Sequence, residues 1–147
     1  MIAVLQRVSE ASVEVENRIV AAIEYGVLVF VAVMAADGAQ QAVRLADRVA
    51  DFRILPGPDG RPAYSTAETP GAALLVVSQF TLGANTRKGR RADYGPVAKP
   101  EPARRLVDSF VHRLRERELP VQTGVFGADM RVRLCNEGPV TFRLEVE

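Results

Sequence analysis

Cysteine, histidine and tryptophan are almost missing from this sequence of 147 residues. It has one cysteine, one histidine and no tryptophan. A single cysteine, Cys135, excludes an intrachain disulfide and a metal site with several cysteine ligands, and it is typical of a protein from a reducing compartment. Because the chain has a single histidine, only His112 could serve as the base of a Ser-His-Asp catalytic triad. From these absences we expect neither a metal nor another cofactor.

Long apolar runs and an excess of one charge are missing as well. The longest apolar run, residues 27–36, has ten members, whereas a helix that spans a membrane needs about 20. Polar side chains at positions 6, 7, 9 and 10 interrupt the start of the chain before the apolar region of a signal peptide could form. The formal net charge is +1, so binding to an anionic polymer would depend on a local cluster of charge. We expect a soluble, cytoplasmic protein that does not enter a membrane.

What is present is the composition of an ordinary globular domain. Hydrophobic residues make up 48% of the chain and charged residues 25%, a balance that disordered chains do not have. A chain of this length buries roughly 70% of its unfolded surface, which is enough for a real core. The sequence contains no repeat, low-complexity tract or linker. We therefore expect residues 1–147 to form a single domain.

Hydrophobic periodicity predicts a mixture of strands and two helices. Apolar residues at i, i+3, i+4 and i+7 predict one helix after Gly38 and a second that begins at Pro102 and ends at Pro120. Grouped strands with two helices favour an α+β or mixed-sheet protein over a doubly wound one. Strands are predicted at residues 2–8, 27–33, 52–55, 73–79, 121–126, 130–135 and 140–146, with a hairpin at residues 11–23.

The residues that could carry chemistry are concentrated at positions 76–91, where a buried strand leads into a polar segment and then a basic loop. Ser78 and Thr81 offer hydroxyl groups, but a hydroxyl is inert near neutral pH unless a base takes its proton. Bases are scarce, because His112 lies on the polar face of the second helix and nothing in the sequence pairs a carboxylate such as Asp93 or Asp129 with Thr81.

Backbone groups are the alternative source of catalysis at this position. Where the strand ends, at Phe80 and Thr81, the N–H groups leave the sheet and become available to stabilise an oxyanion. Such a site would need a proton acceptor on the substrate itself. Taken alone, the segment is equally compatible with an ordinary strand end that carries polar residues.

A basic loop follows directly. Arg87, Lys88, Arg90 and Arg91 surround Gly89, which places four cations within five residues. Such a loop suits contacts to a phosphate backbone that position a nucleic acid without reading its sequence. Aromatic side chains for base stacking are sparse, and Tyr94 is the nearest. A solvated charged loop without a partner is the alternative interpretation.

A second unusual position lies near the end of the chain, where Gly138 and Pro139 separate two strand patterns. Proline removes a hydrogen-bond donor and glycine removes a side chain, so a special backbone geometry is expected there. Only about 5–6% of X–Pro bonds in folded proteins are cis, so the sequence pattern leaves both a cis bond and an ordinary tight turn open.

Together these segments resemble the D-aminoacyl-tRNA deacylases, which remove D-amino acids from transfer RNA. The resemblance spans nearly the whole chain and depends on the combination of Ser-Gln-Phe-Thr-Leu at residues 78–82 with Asn-x-Gly-Pro-x-Thr at residues 136–141. Further matching segments lie at residues 6–8, 10–13, 86–91 and 126–130. The chain departs from the family pattern at Gly83, at Asn85, where an Asp is expected, and at residues 92–94.

The resemblance implies a three-layer α/β/β fold of mixed sheets with two helices, and a homodimer whose active site lies at the subunit interface. In the family, a cis Gly138-Pro139 peptide enters the partner's pocket, faces the amino acid and excludes L side chains, while Arg7 and Met130 help to hold it. The pocket is lined by the segment from Ser78 to Leu82, in which Ser78, Gln79, Phe80 and Thr81 form the catalytic segment. Hydrolysis depends there on backbone groups and on the terminal ribose hydroxyl of the tRNA.

Three functions are therefore compatible with the sequence. The first is an ester hydrolase that acts on D-aminoacyl-tRNA and glycyl-tRNA, rejects L-aminoacyl-tRNA and binds tRNA through Arg87, Lys88, Arg90 and Arg91. The second is an RNA-binding module without catalysis that uses the same loop. The third is a conventional hydrolase with Thr81 as nucleophile.

Overall fold

Eight strands, two α-helices and a short 3₁₀ helix make up the chain, which a computed structural model describes over residues 1–147. The helices are α1 (Ala39–Asp51) and α2 (Pro100–Glu116), and the 3₁₀ helix is Phe80–Gly83. Neither α-helix is long and apolar enough to cross a membrane. The strands are β1 (Ile2–Val15), β2 (Arg18–Ile23), β3 (Gly26–Ala32), β4 (Leu55–Pro56), β5 (Pro62–Tyr64), β6 (Ala73–Ser78), β7 (Val121–Thr123) and β8 (Arg131–Glu145).

The long strand β1 organises the sheet because it pairs with three other strands. Along one edge, its first half is antiparallel to β3, and its second half is antiparallel to β2. Strand β8 covers the opposite edge along nearly the whole length. Strand β6 then continues the sheet from β3, and β7 continues it from β6, both in parallel pairing. Two sheet regions therefore share β1 and β8.

Two apolar clusters lie on the two faces of β3 and β6 and define three layers. On one face, alternate residues such as Val29 and Val76 pack in a cluster with α1 and α2. On the other face, Leu28 and Leu75 pack with Val13 from the second half of β1. The helices thus form one layer, the sheet region of β3 and β6 forms a second layer, and the sheet region that contains the second half of β1 forms a third. This arrangement confirms the mixed α/β fold and the α/β/β layers that were expected.

The two helices have the apolar stripes that the sequence pattern predicts. Leu45 and Val49 of α1 and Phe110 and Leu114 of α2 are buried in the same cluster. Helix α2 begins at Pro100 and not at Pro102, because the first turn of a helix needs no N–H from either proline.

Ion pairs join the polar faces of the helices. Arg113 Nε lies 2.9 Å from Asp47 Oδ1, and Arg117 Nη1 lies 2.9 Å from Asp51 Oδ2. These pairs lie at the edge of the α1–α2 contact, outside the apolar stripe. They connect the end of α2 to α1 without entering the core.

Several strand predictions were wrong in detail. The predicted strands at residues 130–135 and 140–146 are a single strand, β8, which contains Gly138 and Pro139. The predicted strand at residues 121–126 is confined to Val121–Thr123, and the one at residues 52–55 begins only at Leu55. Strand β5, which pairs with β4, was not predicted. These errors fall where pairing partners, and not local periodicity, decide where a strand ends.

The pairing of β8 with β1 explains the position of Gly138 and Pro139. Thr141 is opposite Gln6 and Asn136 is opposite Val8. Strand β8 therefore advances five positions while β1 advances two, and the extra residues form a bulge out of the ladder. We call residues 137–140 the β8 loop.

Candidate active site

The end of β6 carries Ser78 and turns at once into the 3₁₀ helix. The N–H of Gln79 donates to the carbonyl of Val31 in β3 at 2.8 Å. Phe80 and Thr81 follow as the first residues of the 3₁₀ helix, where N–H groups have no partner within the helix. Neither N–H is a donor in the turn, loop and cap hydrogen bonds. Two neighbouring backbone donors are therefore available at the position that the sequence predicted.

The Thr81 hydroxyl has no base beside it. Its oxygen accepts a hydrogen bond from the side-chain amide of Gln79. His112 is exposed on α2, with Nε2 at 3.3 Å from Glu116, and the carboxylate of Asp93 accepts the N–H of Gly95 at 2.9 Å. Asp129 is exposed and makes no hydrogen bond to Thr81. The arrangement does not activate a threonine nucleophile.

A cavity of about 640 Å³ is lined by Ser78, Gln79 and Phe80, whereas Thr81 is outside its lining. Its volume is within the range of small-molecule sites, roughly 300–1,000 Å³. The ring of Phe80, which is 57% exposed, lies 5.2 Å from the ring of Tyr94, and the two form one wall. Met130 also borders the cavity, whose lining is mostly apolar. This cavity can accept an apolar or aromatic group next to backbone donors.

The β8 loop projects from the sheet. The Gly138-Pro139 peptide is cis, and Gly138 has a φ of +124°. Both residues are exposed, and neither lines the cavity beside Phe80 in its own chain. The loop and the cavity are thus two separate features of one chain.

Arg7 holds the loop from below. Its side chain is buried, with 5% of the residue exposed. Nε donates to the carbonyl of Glu137 at 3.1 Å, and Nη1 donates to the carbonyl of Ile54 at 3.4 Å. A Cβ atom on Gly138 would lie 3.0 Å from Arg7 Nη2, so glycine is needed for this close contact. Arg7 links the loop to the segment after α1.

The polar residues on either side of the loop close it, a role that the sequence reasoning missed. Asn136 accepts the N–H of Val140 through Oδ1 at 3.1 Å and donates from Nδ2 to the Thr141 hydroxyl at 3.0 Å. The side-chain amide of Gln6 donates to the same hydroxyl at 3.2 Å. Asn136 and Thr141 are the outer residues of the Asn-x-Gly-Pro-x-Thr motif. Their spacing across a predicted turn was the signal available in the sequence.

Met130 lines the cavity. A Cβ atom on Gly124 would lie 2.7 Å from its sulfur, and the atoms nearest to a Cβ atom on Gly138 belong to Val140 and Arg7. Arg7 therefore lies next to Gly138 in the same chain, while Met130 borders the cavity that the partner's loop is expected to enter.

Another ionisable side chain lies near the loop. Burial, and then the neighbouring Glu137 carboxylate, raise the pKa of Tyr25, while the positive charge of Arg7 opposes the shift. The Tyr25 phenol therefore stays protonated and neutral next to the base of the loop. No group of three His, Cys, Asp or Glu side chains lies close enough together to hold a metal ion.

The basic loop is exposed and its base is closed by backbone bonds. The N–H of Asn85 donates to the carbonyl of Asp93 at 2.8 Å, and the N–H of Asp93 donates back at 3.0 Å. Asn85 also accepts the N–H of Arg87 through its side chain at 3.1 Å, a bond that the Asp expected at this position would also accept. The four exposed cations between these ends, none of them in an ion pair, are Arg87, Lys88, Arg90 and Arg91.

Comparisons with known proteins identify the family of this chain. A family model described as D-Tyr-tRNA(Tyr) deacylase matches residues 4–145. A D-aminoacyl-tRNA deacylase from Methylococcus capsulatus is 51% identical to this chain over 144 residues, which cover 98% of this chain and 94% of that protein. A D-aminoacyl-tRNA deacylase from Shewanella frigidimarina is 47% identical over 146 residues, which cover 99% of this chain and 100% of that protein.

Two solved structures share the fold. A structure described as c-Myc DNA Unwinding Element Binding Protein superposes with a TM-score of 0.92 at 32% identity, covering 100% of this chain and 99% of that one. A structure described as a probable eukaryotic D-amino acid tRNA deacylase superposes with a TM-score of 0.86 at 20% identity, covering 99% of this chain and 98% of that one. The second likeness concerns the fold alone.

Proposed function

The chain belongs to the D-Tyr-tRNA(Tyr) deacylase family, and from this membership we propose that it hydrolyses the ester bond of D-aminoacyl-tRNA. The products are the free D-amino acid and tRNA, so the protein proofreads chirality in translation, in the cytoplasm. The observation that carries the proposal is the pair of free N–H groups at Phe80 and Thr81, the first of which belongs to a residue that lines an apolar cavity, in a chain related over its full length to named deacylases.

The chemistry follows from the donors that are available. The aminoacyl ester lies with its carbonyl oxygen toward the N–H groups of Phe80 and Thr81, which stabilise the oxyanion as water adds to the carbonyl carbon. The bond to the ribose oxygen then breaks, and that oxygen takes a proton. Because no side-chain base accompanies Thr81, the neighbouring ribose hydroxyl of the tRNA relays the proton from water. Removal of one oxyanion donor typically costs about 10²–10³ in rate.

Selection against L-amino acids is assigned to the backbone of Gly138 and Pro139. Pocket contacts discriminate by only about 1–3 kcal/mol per methylene, whereas thousand-fold protection of every L-aminoacyl-tRNA needs roughly 4 kcal/mol. A rigid backbone stop next to the α-carbon serves all side chains equally. Glycine has no side chain to exclude, so glycyl-tRNA is also a substrate.

A second copy of the chain supplies the stop. The β8 loop is exposed, is fixed by Arg7 and Asn136, and does not line its own cavity. A homodimer in which each loop enters the partner's cavity would place Gly138 and Pro139 near the partner's Phe80 and Met130. The active site then lies at the subunit interface, and each basic loop contacts tRNA phosphates.

The deciding experiment compares deacylation of D-tyrosyl-tRNA, L-tyrosyl-tRNA and glycyl-tRNA by the purified protein. We expect cleavage of the D and glycyl esters, with the L ester at least about 1,000-fold slower, a difference of roughly 4 kcal/mol. Equal rates on the D and L esters would contradict the backbone stop. Salt-sensitive tRNA binding without cleavage would favour the non-catalytic RNA-binding module instead.

A further inference from the structure

A groove of about 590 Å³ lies between α2 and the edge strand β7, outside the cavity described above. Val76 and Thr123 contribute to its lining from the sheet, and Arg104 and Arg115 contribute from α2. Ser78 and Phe126 line both the groove and the cavity. The groove therefore adjoins the cavity at Ser78, the first residue of the catalytic segment, and continues along the helix.

The arginines of the groove form no ion pairs, whereas other arginines of α2 do. Outside the groove, Arg105 pairs with Glu101 at 3.4 Å, and Arg113 pairs with Asp47 at 2.9 Å. Arg104 and Arg115 are in no ion pair, and their guanidinium groups contact only carbonyl oxygens and an aromatic ring. Two positive charges on this face of α2 are thus left without an acidic partner.

These two guanidinium groups are also held in place. Arg104 lies 5.0 Å above the ring of Phe126 and donates to the Phe126 carbonyl at 3.4 Å. Arg115 donates to the carbonyl of Val121 at 3.4 Å. Because the contacts use one nitrogen of each group, the other N–H donors remain free for an anion. Arginine is suited to phosphate for this reason.

Other charges near the groove limit how strongly it can attract an anion. Asp108 is part of the lining and offsets one positive charge, and Glu116 lies 3.3 Å from His112. Two positively charged arginines and one negatively charged carboxylate therefore line the groove, and the His112–Glu116 pair lies beside them. That balance fits one or two phosphates of a flexible strand and not the dense charge of a duplex.

We propose that this groove binds phosphates of the single-stranded 3′ end of tRNA as it leaves the cavity. The inference depends on the proposed function, because it assigns a path to the substrate of that site. Arg104 and Arg115 are eleven residues apart on one helix, which corresponds to about 16 Å at a rise of about 1.5 Å per residue. The spacing lets the two arginines contact different phosphates of one extended strand.

The test compares the double variant Arg104→Gln, Arg115→Gln with the control Arg105→Gln, which removes a paired arginine of the same helix. Two substrates are used, D-tyrosyl-tRNA and D-tyrosyl-adenosine, which has the same ester without phosphates. For the double variant we expect kcat/KM on the tRNA to fall about 10- to 100-fold, while the rate on the adenosine ester changes less than about twofold. The salt slope of the tRNA reaction should fall by about 1.4, or 0.7 per lost phosphate contact on a single strand.

A binding measurement keeps this inference separate from the hydrolysis itself. Deacylated tRNA is titrated against the wild type, the double variant and the corresponding Arg→Lys pair, with thermal unfolding as a check on folding. We expect weaker binding to the Gln variant and partial recovery with lysine, which keeps the charge. Unchanged tRNA binding by the Gln variant, or an equal loss on both esters, would overturn the groove as a phosphate site. If the wild type cleaves neither ester, the proposed function fails, and the binding result still decides about the groove.

Discussion

The exit of β6 and the β8 loop are built in opposite ways. At the exit of β6, the N–H groups of Phe80 and Thr81 have no partner, and Phe80 lines an open cavity. In the β8 loop, Arg7 binds the Glu137 carbonyl and Asn136 binds the Val140 N–H, and the loop is exposed. A region that performs chemistry needs unpaired donors for the substrate. A region that selects by shape needs its backbone fixed, and here side chains outside the loop, those of Arg7 and Asn136, fix it.

The largest effect is expected from Gly138→Ala in the β8 loop. The new Cβ atom would lie 2.7 Å from Val140 Cγ2 and 3.0 Å from Arg7 Nη2, at a φ of +124° that L residues rarely adopt. The loop must shift, and displacement of a positioning group by about 1 Å costs on the order of 10²-fold in rate. Single-turnover deacylation of D-tyrosyl-tRNA measures the loss.

Gly71→Ala is the matched control for this change. Gly71 has a φ of +85°, but a Cβ atom there would have no neighbour within 4 Å. The control therefore carries the backbone strain without the collision. If both variants lose activity equally, the collision at Gly138 has no effect of its own. That result would contradict the view that the β8 loop acts through its fixed position.

Arg7→Ala should have the next largest effect, and mainly on stability. The variant removes two hydrogen bonds from a buried guanidinium to the carbonyls of Glu137 and Ile54. Hydrogen bonds to charged groups contribute about 1.5–3 kcal/mol each, so the free energy of unfolding should fall by about 3 kcal/mol. Urea denaturation measures this change, and the ratio of D to L deacylation should fall with it.

The exposed Arg143, which pairs with Glu145, provides a control for the loss of an arginine. Arg143→Ala should change the free energy of unfolding by less than about 1 kcal/mol. A similar small change for Arg7→Ala, with the D to L ratio preserved, would mean that the loop does not depend on Arg7.

A smaller effect is expected from Thr81→Ala at the exit of β6. The hydroxyl accepts a bond from Gln79 but has no base, while the backbone N–H of residue 81 remains in the variant. We expect the rate of deacylation to stay within about tenfold of the wild type, because loss of a true nucleophile costs on the order of 10⁶. A loss of several decades, or release of tRNA before the amino acid in a rapid-quench measurement, would identify Thr81 as a nucleophile.

The smallest effect belongs to a position outside both regions. Hydrogen bonds from the Arg117 guanidinium hold the pKa of the Asp51 carboxyl below its ordinary value of 3.8. A carboxyl whose pKa is lowered in the folded state stabilises the protein at pH values above its ordinary pKa. This contribution is lost as the pH falls through the lowered pKa of the folded state. Asp51→Asn should therefore destabilise the protein slightly at pH 7 and less below pH 4. A difference in unfolding free energy that does not shrink in acid would exclude the ion pair as its source.

Much of the fold could be predicted because helices and strands each have a characteristic pattern of apolar residues. The stripe of Leu45 and Val49 predicted α1, and the continuous apolar run after Gly26 predicted β3. The end of the strand at Ser78 and the special backbone at Gly138 were also visible, since glycine, proline and the loss of apolar alternation act locally. Strand β5 could not be predicted, because its three residues are held by pairing with β4 and not by their own pattern.

The sequence by itself determined which residues can take part: an apolar strand that ends in polar residues, a basic loop, a lone histidine on the polar face of a helix, and a glycine followed by proline. Only the tertiary structure decided where these residues lie. The unequal register between β1 and β8 turns Gly138 and Pro139 into a projecting loop, and Arg7 is buried beneath it although it lies about 130 positions away in the chain. Contacts between distant segments have no local signature, because they depend on how strands pair and not on what each strand contains.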